Sequence, residues 1–184
     1  MPEEPGQVPE EPGRAAAPVF KALSYEDLLS LPPKQWLIEG VIGEGDLGMI
    51  YGAPGSGKTF VALDLIIDAI AGNLWADIAA TVKPLTVAYC AGEGTGGLRA
   101  RFEAAVAAKG TSSEALSNLL IFLDIPQLFD GMGRGVNQFI NDYKAAHGER
   151  QLDLLVIDTL HSATVGAEEN SAKDAGKILQ ATKQ

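Results

Sequence analysis

Cysteine and basic residues are scarce in this chain, and each scarcity excludes a class of protein. The single cysteine, Cys90, excludes an internal disulfide framework and fits a reducing cytosol. The 14 Lys and Arg residues stand against 24 acidic residues, which gives a net charge of −10. This excess of acidic residues argues against a broad basic surface of the kind that binds duplex DNA nonspecifically. Any contact with nucleic acid must therefore be local or shared among subunits.

Long apolar runs are also lacking. Hydrophobic residues make up 46% of the 184 residues, yet no uninterrupted apolar stretch approaches the roughly 18 residues that a membrane span needs. The chain opens with Glu and Pro rather than with a basic segment and an apolar one, so no secretory signal is visible. We therefore expect a soluble, cytoplasmic protein with one hydrophobic core and no membrane partner.

Large apolar side chains are almost absent from residues 1–18. The pentamer Pro-Glu-Glu-Pro-Gly occurs twice there, at residues 2–6 and 9–13. A segment of this composition cannot bury enough surface to offset the entropy lost on ordering it. The sequence therefore predicts a disordered tail over residues 1–18 and one folded domain over residues 19–184.

From residue 25 onward, strand patterns alternate with helix patterns. Strands are predicted over residues 36–42, 49–51, 85–90, 119–123 and 154–157. Helices are predicted over residues 27–31, 59–71, 98–109 and 136–146 and from a capping box at residues 171–174 to the end. The central strands are apolar on both faces. This alternation predicts an α/β fold in which a mainly parallel, doubly wound sheet has helices on both faces.

Residues 52–59 read GAPGSGKT and match the phosphate-binding pattern G-x-x-x-x-G-K-[ST] at every position. Glycines let successive backbone N–H groups point inward at phosphate oxygens, and the dipole of the following helix adds positive potential there. Lys58 would reach the β- and γ-phosphates of ATP, and the Thr59 hydroxyl would bind Mg²⁺. The predicted nucleotide-binding residues are Gly52, Ala53, Pro54, Gly55, Ser56, Gly57, Lys58, Thr59 and Phe60.

Acidic residues at strand ends are predicted to complete the site. Asp158 ends the apolar run at residues 154–157, and we expect it to hold Mg²⁺ through water. The next residue is Thr159 rather than the Glu that many P-loop enzymes place there, so the base that activates water must follow another strand. Glu93 is favoured because its flanking glycines let the backbone approach a ligand closely. Asp124, after the strand at residues 119–123, is the alternative.

Taken together, these motifs resemble those of the RecA-like ATPases of the plasmid RepA helicase type. The resemblance runs from Trp36 to the C-terminus and rests on GAPGSGKT, YCAGEG (89–94), GLRAR (97–101), IDTL (157–160) and EEN (168–170). It implies a RecA core, a ring that is typically hexameric, nucleotide between subunits, and ATP-driven movement along single-stranded DNA. It also implies that Lys58 binds phosphate, that Thr59 binds Mg²⁺, that Glu93 is the catalytic base and that Asp158 is the Walker B acid.

The chain departs from this family after Asp158. The family continues with core strands that carry a γ-phosphate sensor and an arginine finger, whereas this chain ends one predicted helix later. The resemblance therefore leads us to expect a core without its C-terminal strands and weak turnover by this chain alone. Two other functions stay open: a nucleotide-dependent switch or loader that never translocates, and a small-molecule phosphotransferase, although no arginine cluster for a basic lid is visible.

For the other polar residues near these motifs, we expect ordinary surface positions. Arg99 and Arg101 are expected to be exposed helix residues, with phosphate or a neighbouring subunit as alternative partners. His161 is expected to be a solvated loop residue. Residues 162–170 correspond in position to a channel-facing loop of related ATPases, but Glu168 and Glu169 disfavour phosphate contact there.

Overall fold

The computed structural model describes residues 22–76, 83–129, 135–168 and 171–182. The chain divides into two units, Met1–Pro33 and Lys34–Gln184. In the first unit, helix α1 (Tyr25–Leu29) begins at a capping box in which Ser24 and Asp27 bond each other's backbone N–H groups. It starts two residues before the predicted helical turn. The tail predicted over residues 1–18 lies outside the described residues.

The second unit alternates strands and helices around a small parallel sheet. Its strands β4, β3 and β5 lie in that order, with β3 in the middle. This arrangement confirms the α/β class and the RecA-like core expected from the sequence. In chain order the elements are β1 (Trp36–Ile38), β2 (Ile42–Gly43), α2 (Lys58–Ala71), β3 (Val87–Ala91), α3 (Leu98–Lys109), β4 (Leu119–Phe122), α4 (Val136–His147), β5 (Leu154–Asp158), α5 (Leu160–Ala163) and α6 (Ala172–Ala181).

Strand β3 is buried on both faces, as its continuous apolar sequence predicts. Alternate residues of a strand point to opposite faces. Tyr89 joins the core cluster with residues of α2 and α3, whereas Cys90 points to the other face and is equally inaccessible to solvent. On that second face, Phe122 lies beside Cys90 in register. Its ring packs edge-on against the ring of Phe139 of α4, with 5.0 Å between the ring centroids. Helices therefore cover both faces of the sheet.

A partly buried cluster of charged side chains joins helices α2 and α3. The Lys109 ammonium lies 2.6 Å from the Asp68 carboxylate and 2.7 Å from that of Asp64. Asp68 is only 2% exposed, so removal of the ammonium would leave a buried charge uncompensated. Each helix ends at a glycine in the left-handed region, Gly72 and Gly110.

Two predicted strands are wrong. Residues 36–42 form an antiparallel hairpin instead of one strand, because Gly40, at φ 72°, reverses the chain between β1 and β2. Residues 49–51 are not a strand, although they precede the phosphate-binding motif. Their side chains are exposed by 66%, 47% and 87%, and the sheet pairs only β4, β3 and β5 in the described chain. A short apolar run that stays largely exposed and joins neither sheet of the described chain does not form a strand.

The segment after β5 forms two helices, α5 and α6, and no further strand in the described residues. Helix α5 was not predicted. Helix α6 begins where the sequence places it, with the Ser171 side chain accepting a bond from the Asp174 N–H at 3.2 Å. None of the helices in the described ranges has the length and apolar character that a membrane crossing requires.

Candidate functional site

The glycine-rich loop leads into the N-terminus of α2. Gly55 and Gly57 adopt φ values of 75° and 86°, which residues with a Cβ rarely adopt. Gly57 is the N-cap and supplies no side-chain hydrogen bond, and the first turn of α2 holds no acidic residue. The first N–H groups of the helix therefore lack an internal partner of the usual kind and suit an anion.

The ammonium of Lys58 folds back over the loop. Its Nζ donates to the carbonyl oxygens of Gly52 at 3.0 Å and Ala53 at 3.1 Å. Gly52 leaves room for this closed shape, since a Cβ there would lie 2.8 Å from the Ser56 Oγ. The loop thus holds a positive charge beside its open N–H groups, which is the electrostatic arrangement that a phosphate requires.

Asp158 receives two hydroxyl hydrogen bonds on one oxygen. Thr59, at the start of α2, donates from Oγ1 to Asp158 Oδ2 at 2.9 Å, and Tyr89 donates from Oη to the same atom at 2.5 Å. Burial and the bond to Asp158 raise the pKa of Tyr89, so its hydroxyl stays protonated and remains a donor. Sequence reasoning missed Tyr89, although a tyrosine inside an apolar buried strand needs a partner for its hydroxyl.

Thr59 and Asp158 offer the oxygen atoms that Mg²⁺ prefers. This ion keeps several waters and usually takes one or two carboxylates plus substrate phosphates. In the described ranges, no group of three or more His, Cys, Asp or Glu side chains is arranged to hold a metal ion. The pair therefore fits an ion that arrives with a nucleotide better than one enclosed by the protein alone.

Glu93 also receives two hydroxyl hydrogen bonds on one oxygen. Its Oε1 accepts from Ser162 Oγ at 2.7 Å and from Thr159 Oγ1 at 3.0 Å. These bonds, Ser162 first and Thr159 second, hold the pKa of Glu93 below its usual value. The two hydroxyl groups therefore stabilise the ionised carboxylate.

The glycines beside Glu93 serve protein contacts. A Cβ on Gly92 would lie 2.6 Å from Ser162 Cβ and 2.8 Å from Ile125 Cδ1. A Cβ on Gly94 would lie 2.8 Å from a guanidinium nitrogen of Arg101. We predicted that these glycines let the backbone approach a ligand. Gly92 instead lets the strand end approach α5, and Gly94, which also lines the cavity, makes room for Arg101.

One open cavity of about 340 Å³ brings the loop and the acidic residues together. Asp124, the alternative base, does not line it within the described part of the chain; its carboxylate accepts from the Ile125 N–H at 3.0 Å. Four predicted loop residues, Gly52, Ala53, Pro54 and Ser56, also lie outside the lining. The cavity is lined by Gly55, Gly57, Lys58, Thr59, Phe60, Glu93, Gly94, Arg101, Asp158 and Thr159.

The two arginines of α3 differ, and the expectation that both are ordinary exposed residues is wrong for one. Arg99 is exposed and pairs with Glu103 at 2.7 Å. Arg101 is half-buried and lines the cavity. The glycines at positions 94 and 97 have no side chains, which leaves space for its guanidinium. Arg101 thus adds a second cation to the side of the cavity that Gly94 lines.

The segment after Asp158 contains a short helix where a loop was expected. His161 is exposed on α5, as predicted, and its charge is a minor contribution to the lowered pKa of Glu93. The proposed channel loop over residues 162–170 begins inside α5. Glu169 and Asn170 lie outside the described residues.

A glycine-rich loop at a helix N-terminus, facing acidic residues at the carboxyl ends of parallel strands, defines a P-loop nucleotide-binding protein. A family profile described as AAA domain matches residues 15–184. The chain belongs to this family of P-loop ATPases. Comparisons with curated proteins and with solved structures find no significant match.

Proposed function

We propose that this chain binds ATP with Mg²⁺ and hydrolyses it between the loop and the strand ends. The observation that carries this proposal is the cavity that Lys58, Thr59, Glu93 and Asp158 line together. Lys58 and the first N–H groups of α2 would hold the β- and γ-phosphates. Thr59, and Asp158 through water, would hold Mg²⁺, which would neutralise charge on the phosphates.

Glu93 is the proposed base. A water oxygen attacks the γ-phosphorus in line and forms a new P–O bond, while the bond to the bridging oxygen breaks and ADP leaves with the electron pair. Glu93, as the ionised carboxylate, orients this water and accepts one of its protons. Lys58 stabilises the charge that develops on the phosphate oxygens.

Calorimetry and phosphate release test this proposal. We expect heat when Mg²⁺ and ATP are titrated into the folded chain, and slow release of inorganic phosphate afterwards. Titration of Mg²⁺ with AMP serves as the control, because AMP lacks the β- and γ-phosphates. A chain that gives the circular dichroism of an α/β fold but shows no heat with ATP would contradict the proposal.

We further propose that ATP hydrolysis drives movement on single-stranded DNA in a hexameric ring, as in RepA-type replicative helicases. Support comes from the set of motifs that the chain shares with that family and from its membership of the AAA domain family. The experiment is the ATPase rate with and without single-stranded DNA. Stimulation by single-stranded DNA, but not by heparin at equal charge, is the expected result. Sedimentation with ATP and Mg²⁺ tests the ring.

The charge of the chain favours a second function, that of a nucleotide-dependent switch or loader in plasmid or phage DNA metabolism. A net charge of −10 and the acidic Glu168 in the segment after α5 are unfavourable for a DNA track. A switch would hydrolyse ATP at one rate with or without single-stranded DNA. The absence of stimulation would therefore contradict the motor and favour the switch.

A further inference from the structure

We propose that the hydroxyls of Thr159 and Ser162 are positioning groups that fix Glu93 for hydrolysis. They hold one carboxylate oxygen and leave the other to the water. This inference rests on the proposed ATP hydrolysis and assigns to two residues of α5 and its N-cap a role in it. It is carried by the convergence of two hydroxyl donors on a side chain that lines the cavity.

Both hydroxyls point at the same atom of Glu93. Ser162 Oγ lies 2.7 Å and Thr159 Oγ1 lies 3.0 Å from Oε1, and the two hydroxyl oxygens are 3.4 Å apart. No bond to the second oxygen of Glu93 is found in the described ranges. An exposed glutamate otherwise samples many rotamers, whereas these two bonds restrict it to the orientation in which Oε1 faces α5.

The hydroxyls are themselves held by the backbone. Thr159 is the N-cap of α5, and its side chain accepts from the Ser162 N–H at 3.4 Å. The segment after β4 holds the far side of the helix, because Gln127 Nε2 donates to the Ser162 carbonyl at 2.9 Å and the Leu128 N–H donates to the Ala163 carbonyl at 2.7 Å. Helix α5 therefore presents its two hydroxyls from a fixed position.

Gly92 brings the two parts of this contact together. Its N–H donates to the Asp158 carbonyl at 2.7 Å, which joins the end of β3 to the end of β5. The space that a Cβ would occupy on Gly92 is taken up by Ser162 and Ile125. The residue before the base is thus a glycine because the strand end must lie directly against α5.

This arrangement has a kinetic consequence. A base that is displaced by about 1 Å from its productive position can cost up to 10²-fold in rate. Loss of one of two hydroxyl bonds should loosen Glu93 without removing it. We expect a fall of about 10-fold in kcat, with KM and the dissociation constant for ATP unchanged, since neither hydroxyl is proposed to bind phosphate.

The first test is Ser162→Ala, with Thr164→Ala as the matched control on the same short segment. The Thr164 hydroxyl donates to the Leu160 carbonyl at 2.9 Å and does not contact Glu93. Ser162→Ala should lose about 10-fold in kcat at unchanged ATP affinity, and Thr164→Ala should match the parent. A second pair of variants tests whether the hydroxyl or the shape of Thr159 matters. Thr159→Val removes the hydroxyl and keeps the shape, so it should be slow, whereas Thr159→Ser keeps the hydroxyl and should retain the parent rate.

A double-mutant cycle with Glu93→Gln decides whether Ser162 acts through Glu93. In single-turnover measurements, Ser162→Ala should slow the parent but not the Glu93→Gln variant. Equal losses in both backgrounds, an unchanged kcat, or a faster Ser162→Ala enzyme would each overturn the positioning role. Absence of hydrolysis by the parent chain would instead overturn the proposed function, so the two failures are distinguishable.

Discussion

The two sides of the cavity are built in different ways. On the strand side, Asp158 and Glu93 each accept two hydroxyl hydrogen bonds; one donor, Tyr89, is buried, and another, Thr159, is the N-cap of α5. On the loop side, residues 49–51 are exposed, and Lys58 bonds carbonyl oxygens of its own loop. The acids are therefore held by the protein, whereas the loop presents a cation and the N-terminal N–H groups of α2 to the open cavity.

In the proposed mechanism, the strand side of the cavity therefore orients the reacting water, whereas the loop side attracts the phosphate. A carboxylate that orients water must be preorganised, because its position decides the rate. A phosphate-binding loop needs positive potential and open donors, and its ligand supplies the remaining order. Substitutions on the strand side should therefore act mainly on catalysis or on Mg²⁺, and substitutions on the loop side on affinity for the nucleotide.

The largest expected effect tests the strand side directly. Glu93→Gln removes the proposed base and should lower kcat by about 10²- to 10⁴-fold with little change in ATP affinity. Asp124→Asn is the matched control, since it makes the same change at the end of the neighbouring strand β4. Phosphate release and calorimetry measure the two quantities. A normal rate for Glu93→Gln together with a slow Asp124→Asn would make Asp124 the base.

Lys58→Ala tests the loop side. It removes the ammonium from the cavity and should weaken ATP binding by roughly 10- to 150-fold, since hydrogen bonds to charged groups contribute about 1.5–3 kcal/mol. Lys83→Ala, which removes a lysine paired with Asp153 at 2.9 Å outside the cavity lining, should leave affinity unchanged. Calorimetry with ATP and Mg²⁺ provides the comparison. Equal affinity for both variants would show that the loop attracts phosphate without Lys58.

Tyr89→Phe sharpens the contrast, because it removes one hydroxyl from Asp158 and keeps the buried ring. We expect Mg²⁺-dependent ATP affinity to fall by about 10-fold, as is typical when a partner of a metal-binding group is lost. With EDTA present, parent and variant should bind equally. The control is Tyr143→Phe, whose buried hydroxyl has no hydrogen-bond partner within the described ranges. A loss that persists in EDTA would contradict a role through Asp158.

The smallest expected effect concerns the arginines of α3. Arg101→Ala should weaken ATP binding by about 3- to 5-fold, because a half-buried cation near phosphate is worth only about 1 kcal/mol when solvent still screens it. Arg99→Ala should have no effect, since that side chain is exposed and pairs with Glu103. Raising the salt concentration should reduce the difference between the two variants. The opposite ranking would remove Arg101 from the site.

Local sequence signals predicted most of the fold. The predicted helix at residues 98–109 coincides with α3, because Gly110, in the left-handed region, ends it. Other boundaries shifted: α2 starts one residue before its predicted range, α4 ends one residue after it, and α1 lies two residues earlier than predicted. The strand prediction at residues 49–51 failed because a strand depends on a neighbour, and a three-residue run carries no information about which neighbour is present.

The site was predictable in its separate motifs but not in its contacts. Lys58, Thr59, Glu93 and Asp158 follow from the loop pattern and from acids at strand ends, and the structure places all four around one cavity. The hydrogen bonds from hydroxyl groups to these acids could not be found this way. Thr59 lies 99 residues from Asp158, and Ser162 lies 69 residues from Glu93. Such contacts depend on the order of the strands in the sheet, which local periodicity does not encode.

The burial of Cys90 makes the chain convenient for site-specific labelling. This thiol is the only one in the sequence, it is inaccessible to solvent on β3, and burial raises its pKa to about 12. Maleimide reagents require an accessible thiolate, so the native protein should stay unmodified. A fluorophore attached to a cysteine introduced at the exposed Tyr51 would then report on the phosphate-binding loop without prior removal of Cys90.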